Sequence, residues 1–110
     1  MKQPELVTTA KSPRFQLGNL YITPGASEAI GSLQADPFEL FYRHACGEWE
    51  SLCLADKQAN EDALRYGSRI LSAYELTPSM DVEGTTEPVK VWIITEADRS
   101  ITTMLLPSEY

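Results

Sequence analysis

Apolar positions recur every three or four residues between about residues 24 and 66, and beyond residue 67 they alternate. Ala26, Ala29, Ile30 and Leu33 fall on one side of a helix, and Thr23-Pro24 in front of them supplies an N-cap and a proline at the first helical position. Phe38, Phe41, Tyr42 and Ala45 form a second helical stripe. Asp36-Pro37-Phe38-Glu39 opens it as a capping box, and Gly47 stops it. A third helix begins near Ala55-Asp56 and runs to Tyr66, with Gly67 as its C-cap. Beyond it, residues 68–76 alternate, with Ile70, Tyr74 and Leu76 on one face and Leu71 and Ala73 on the other. Val89–Thr95 (VKVWIIT) is the strongest strand pattern and 100–106 (SITTMLL) the next. Only Glu96-Ala97-Asp98-Arg99 separates these two, which predicts a tight antiparallel hairpin.

Residues 15–22, ending in Leu20, Tyr21 and Ile22, read as a strand ahead of the helices. The order is β-α-α-α-β-β-β, an α+β domain with three helices packed on one face of a small antiparallel sheet. The last three strands, near 69–76, 89–95 and 100–106, are expected as a meander. Val91 and Ile93 should face the helices, together with Ile101, Thr103 and Leu105. Residues 1–13 hold two prolines and several Lys, Thr and Ser, and read as a flexible N-terminal arm before a single domain over 14–110. Residues 78–88, with Gly84, three acids and two threonines, read as a mobile hairpin arm.

A chain of 110 residues can bury about two thirds of its surface, enough for one core without disulfides or metal. No apolar run approaches the roughly 20 residues of a membrane span, and the first residues lack the apolar centre of a signal peptide. A cytoplasmic protein away from membranes is the expectation. Nine Lys and Arg stand against sixteen Asp and Glu, a net charge of −7. A nucleic-acid binder displaces counterions with a dense row of cations, whereas Arg14, Arg43, Arg65, Arg69 and Arg99 are scattered. Some of them are expected to pair with acids such as Glu61 or Glu48. The acidic charge serves solubility, or offers a face to a basic protein partner. Cys46 and Cys53 lie seven apart beside a single His, so neither a zinc site nor any other metal or cofactor site is expected, and the thiols should be reduced.

Three groups of residues carry candidate chemistry. Arg43, His44, Glu48 and Trp49 sit at a helix end, where a His beside an acid can act as general base and an Arg can hold an anion. Structurally, a charged His44 and Arg43 would complement the helix C-terminus while Trp49 packs into the core. The turn holding Glu96, Asp98 and Arg99, with Thr102 and Thr103 after it, could bind a polar ligand. A tight turn also wants such residues for itself, and Asp98 can accept from nearby amides. Arg69, at the start of a strand, could join that turn or form a salt bridge.

The stretches 22–26 (ITPGA), 43–49 (RHACGEW), 67–74 (GSRILSAY) and 91–103 (VWIITEADRSITT), with the ending Leu105-Leu106-Pro107-Ser108-Glu109-Tyr110, resemble a family of small bacterial proteins. Its members are carried on plasmids and integrative elements and labelled "plasmid-related protein", some "type I restriction endonuclease subunit M". The resemblance covers about residues 17–110. Where that family has Gly-Asp-Trp-Gly, this chain has Gly47-Glu48-Trp49-Glu50, and its 78–88 loop is longer. The resemblance carries no established chemistry. Together with the acidic charge, the small size and the absence of a strong catalytic motif, it points to a non-catalytic accessory protein of a mobile genetic element. Such a protein binds an unidentified protein partner and modulates a host or defence factor or a plasmid transfer component. Methyltransferase chemistry is not expected, since no Gly-rich cofactor turn follows the first strand. A second, fainter likeness is to the plan of barnase and RelE-type ribonucleases, helices first and then an antiparallel sheet. In that alternative His44, Arg69, Glu96 and Arg99 would be the catalytic set of a metal-independent ribonuclease, with Thr102 and Thr103 beside them. The terminal hairpin has no His to serve as general acid, and the net charge repels RNA.

Overall fold

A computed structural model of the chain describes residues 12–77 and 88–110. Its elements are β1 (Asn19–Ile22), α1 (Pro24–Ser32), α2 (Pro37–Cys46), α3 (Leu54–Tyr66), β2 (Ile70–Leu76), β3 (Val89–Thr95) and β4 (Ile101–Leu105), followed by a short 3-10 turn, Pro107–Glu109. This is the α+β order read from the sequence. Most of both expected arms, 1–11 and 78–87, lies outside the described residues.

The punctuation explains the helices. The Thr23 hydroxyl accepts from the Ala26 amide, and the Asp36 carboxylate accepts from the Phe38 amide. α2 and α3 end on Gly47 and Gly67, both left-handed, at φ 83° and 77°.

The four strands lie in the order β1-β4-β3-β2. β2, β3 and β4 form the expected antiparallel meander, but β1 runs parallel to β4, so the sheet is mixed rather than wholly antiparallel. The reason lies in the connection: all three helices and two strands separate β1 from β4, and such a crossover lets the first strand enter beside the last in the same direction.

One sheet face carries Ile70, Ser72, Tyr74, Val91, Ile93, Thr95, Thr102 and Met104, all buried. Against it pack Ala26 and Ile30 of α1 and Leu40 and Phe41 of α2. Trp49, from the connection between α2 and α3, and Ala63 of α3 gather around Ile70 in a second cluster. Val91 and Ile93 thus face the helices as expected, but their β4 neighbours are Met104 and Thr102, not Ile101, Thr103 and Leu105. The other face is covered partly by the C-terminal turn, where the Tyr110 ring meets Trp92 edge-on at 5.6 Å.

The α2 stripe is also displaced. Leu40, Phe41, His44 and Ala45 point inward, whereas Phe38 and Tyr42 are exposed. α2 has apolar residues on two sides, and the expected stripe mixed them.

Candidate functional site

His44 is on the inward side of α2 and has no exposed surface. Its Nδ1 lies 2.5 Å from the Ser72 hydroxyl and its Nε2 2.8 Å from that of Thr95. Thr95 Oγ1 lies 2.7 Å from Thr102 Oγ1, which is 2.7 Å from the Leu17 carbonyl. The proton positions follow by elimination. A carbonyl only accepts, so Thr102 donates to Leu17 and must accept from Thr95. Thr95, its proton committed, accepts from Nε2–H of His44, and Nδ1 accepts from Ser72. The ring is therefore a neutral imidazole with every polar atom satisfied. Burial, helped by the Arg99 cation, pushes its pKa down to about 3. The edge of Phe15 closes over it, with ring centroids 5.3 Å apart. This relay joins α2, three strands and the segment leading into β1. It is a core network, with no solvent-facing atom from which His44 could serve a substrate, and no imidazolium is available to cap α2.

The neighbours assigned with His44 from the sequence point elsewhere. Arg43 Nε lies 3.4 Å from Glu48 Oε1, and its guanidinium lies over the Tyr74 ring, 4.9 Å from the centroid. Trp49 is buried and donates to the His44 carbonyl at 3.3 Å. Arg14, over the same Trp49, makes a two-pronged bond to Glu61 at 2.9 and 2.8 Å. That pair raises the Arg14 pKa and lowers that of Glu61.

The 96–99 turn is likewise occupied by its own backbone. Asp98 accepts from the Ser100 amide at 3.0 Å and from its hydroxyl at 2.6 Å, which lowers its pKa. Arg99, left-handed at φ 63°, donates through Nη1 to the carbonyls of Ser68, Glu96 and Ala97, and through Nη2 to that of Ala63. It binds the end of α3 to the turn with charge-assisted bonds, a role that leaves its fork little capacity for an anion. Glu96 pairs with Arg69 at 3.5 Å, and Arg69 donates to the Tyr110 hydroxyl at 2.9 Å. Thr102 belongs to the His44 relay. The structure brings Arg69, Glu96 and Arg99 to one end of the sheet, but His44 is beneath it, walled off by Phe15.

What the molecule does present is an apolar groove of about 540 Å³ between α2 and the chain entering β1. Pro13, Phe15, Leu17, Leu20, Tyr42 and Ala45 line it. One turn from Tyr42, Phe38 extends the apolar surface of α2, and Ile22 shares the face of β1 turned toward the helices, whereas Tyr21, beside Thr103, points to the other face of the sheet. The sequence reading named Phe38, Tyr42, Leu20 and Ile22 as structural residues only. The signal was present in α2, which has more apolar residues than one buried stripe can use.

No helix among the described residues is long and apolar enough to cross a membrane, and none of their side chains form a group of three or more potential metal ligands. Cys46 is buried, Cys53 is exposed, and both are free thiols. Comparison with family models, with curated proteins and with solved structures finds no match.

Proposed function

We propose that the chain is a non-catalytic interaction protein that works by binding protein through the α2–β1 face. The observation that carries this is the apolar groove and the exposed Phe38 and Tyr42 beside it, uncovered among the described residues, in a chain of net charge −7. A contiguous apolar surface is a costly thing to expose, and on soluble proteins such patches are characteristic of binding sites. The engagement of Arg43, Arg69, Glu96, Asp98 and Arg99 in internal bonds supports the same reading, because a catalytic site needs such groups unspent. Its resemblance to plasmid-related proteins makes it, in this reading, a cytoplasmic accessory of a mobile element that modulates a host or defence factor.

Two experiments test it. Purified protein incubated with single-stranded RNA without metal should leave it intact. Cleavage that His44→Ala and Glu96→Gln both abolish would overturn the reading in favour of a ribonuclease. A photo-crosslinking residue at Phe38 should capture protein in the host cell. Capture of none would remove the α2–β1 face as a binding surface.

A further inference from the structure

We propose that the edge of β1, open among the described residues, is a self-recognition strand, through which two copies of the chain pair antiparallel about a twofold axis at Tyr21. This rests on reading the α2–β1 face as a binding surface, and it names the occupant. The backbone sets the geometry. Asn19 donates to the Ser100 carbonyl at 2.9 Å and Thr23 to that of Met104 at 3.0 Å. Alternate residues of a parallel strand point the same way, so Tyr21 also faces β4 while Leu20 and Ile22 aim their N–H and C=O groups outward. An antiparallel copy with Leu20 opposite Ile22 exchanges four main-chain hydrogen bonds with this edge. Tyr21 then lies opposite Tyr21 of the other copy, as a non-hydrogen-bonded pair. The pattern is self-complementary, as a twofold interface requires.

Charge agrees with a second copy as the occupant. Two chains of −7 repel, so their contact must avoid acids, and residues 15–27 form a run of thirteen with no charged side chain in a chain that is 23% charged. Edge strands are commonly guarded by lysine, proline or a bulge, and β1 has none of these in its four residues. The area is sufficient for a reversible dimer. Leu20, Tyr21, Ile22, Phe38 and Tyr42 are 39, 52, 38, 70 and 48% exposed. Together they expose about 500 Å² per copy, so that ~1,000 Å² is the most the pair could bury through them, at the lower bound for a specific interface. Association also stops at two. At the opposite edge, β2, side chains of Asn60 and Ser51 occupy both outward groups of Leu71 and the Ala73 carbonyl, so the paired sheet does not offer the same open ladder at its outer sides.

Sedimentation of the full-length chain over a wide concentration range should show a monomer–dimer equilibrium. Tyr21→Lys and Tyr21→Glu, which put like charges across the axis, should each weaken the dimer about tenfold or more, and mixing the two should restore it. Leu20→Pro, which removes an outward N–H and leaves the ladder to β4 intact, should weaken it too. Circular dichroism matching that of the parent shows that each variant is folded. A parent that stays monomeric, or a dimer indifferent to all three substitutions, would overturn the proposal. So would failure of the mixture to associate. If the parent is monomeric and the Leu20 and Ile22 amides still exchange slowly, the edge is taken by the chain's own residues 1–11, which also overturns it. If crosslinking at Phe38 captures only a different protein, this proposal fails while the interaction reading stands.

Discussion

At the β2 edge of the sheet, Asn60 donates to the Leu71 carbonyl at 2.7 Å and accepts from the Leu71 amide at 3.2 Å, and Ser51 donates to the Ala73 carbonyl. At the β1 edge the outward groups of Leu20 and Ile22 meet no such side chain among the described residues, and all four residues of the strand are exposed. The difference follows from chain order. β2 comes immediately after α3, so a short connection through Gly67 lays the helix along the strand, and Asn60, eleven residues before Leu71, substitutes for a neighbouring strand. β1 leads out through Thr23 into α1, which packs on the sheet face and leaves the edge uncovered by any described residue. An unpaired edge is a liability that proteins guard or use, and this molecule guards one edge and leaves the other available.

Removing the open edge altogether is the most severe way to break this contrast. Gly18 turns the chain into β1 at φ 68°, and a Cβ there would collide with the Ser100 carbonyl that pairs with Asn19. Gly18→Ala should cost about 3 kcal/mol, from left-handed strain plus the lost approach of β1 to β4. Urea denaturation at concentrations where the chain is monomeric measures it. A cost below 1 kcal/mol would mean that β1 contributes little to the fold.

The interior that joins the two edges should respond to acid. His44 has its pKa lowered from 6.5 to about 3. Between those values the unfolded chain binds a proton that the folded chain refuses, so stability rises with pH in this window and falls as pH is lowered. The slope is about 1.4 kcal/mol per pH unit. Glu61 and Glu109, whose pKa values are lowered from 4.5, and Asp98, lowered from 3.8, act in the same direction only in more acid solution. The range from pH 6.5 to 5 therefore isolates the histidine. Unfolding free energies there should decline while the imidazole resonances stay those of the neutral ring. A flat profile would show that the folded protein admits the proton.

Opening the closed edge should cost somewhat less. Asn60→Ala leaves the Leu71 amide and carbonyl without their side-chain partner, at about 2 kcal/mol. Amide exchange of Leu71 should accelerate well beyond that expected from global destabilisation, and an unchanged exchange rate would show that another group closes this edge.

These contrasts were unequally legible in the sequence. Helix ends and strand positions were written locally, in Thr23-Pro24, Asp36-Pro37, Gly47, Gly67 and the alternation of Val89–Thr95, and the structure follows them. The direction of β1 was not, because strand pairing across three helices leaves no periodic trace. His44 drew attention as a lone histidine beside Glu48 and Trp49. Its spacing from Leu40, Phe41 and Ala45 would have marked it as inward-facing. Ser72, Thr95 and Thr102, hydroxyls at core-facing strand positions, would have marked a buried polar partner. Asn60 gave no signal, since one amide on a polar helix is indistinguishable from its solvated neighbours until the strand beside it is known.

The finest comparison sets two tyrosines against each other, Tyr74 on the covered face near the closed edge and Tyr21 on the open one. The Tyr74 hydroxyl is buried and has no hydrogen-bond partner among the described residues. Burial pushes its pKa up to about 12, against the opposing pull of the Ser72 hydroxyl, which is close by but outside hydrogen-bond geometry, and of the Arg43 cation. A buried hydroxyl without a partner has given up its water and gained nothing, so deleting it should relieve a penalty rather than remove a bond. Tyr74→Phe keeps the ring that packs with Phe41 and Val91 and that Arg43 covers. It should stabilise the fold by about 1 kcal/mol. Tyr21→Phe removes a hydroxyl that is half in water and should leave monomer stability within about 0.5 kcal/mol of the parent. Thermal or urea denaturation of the two variants side by side decides the matter. If Tyr74→Phe destabilises the protein, the hydroxyl has a partner after all, and the closed side of the molecule is more completely bonded than the described residues indicate.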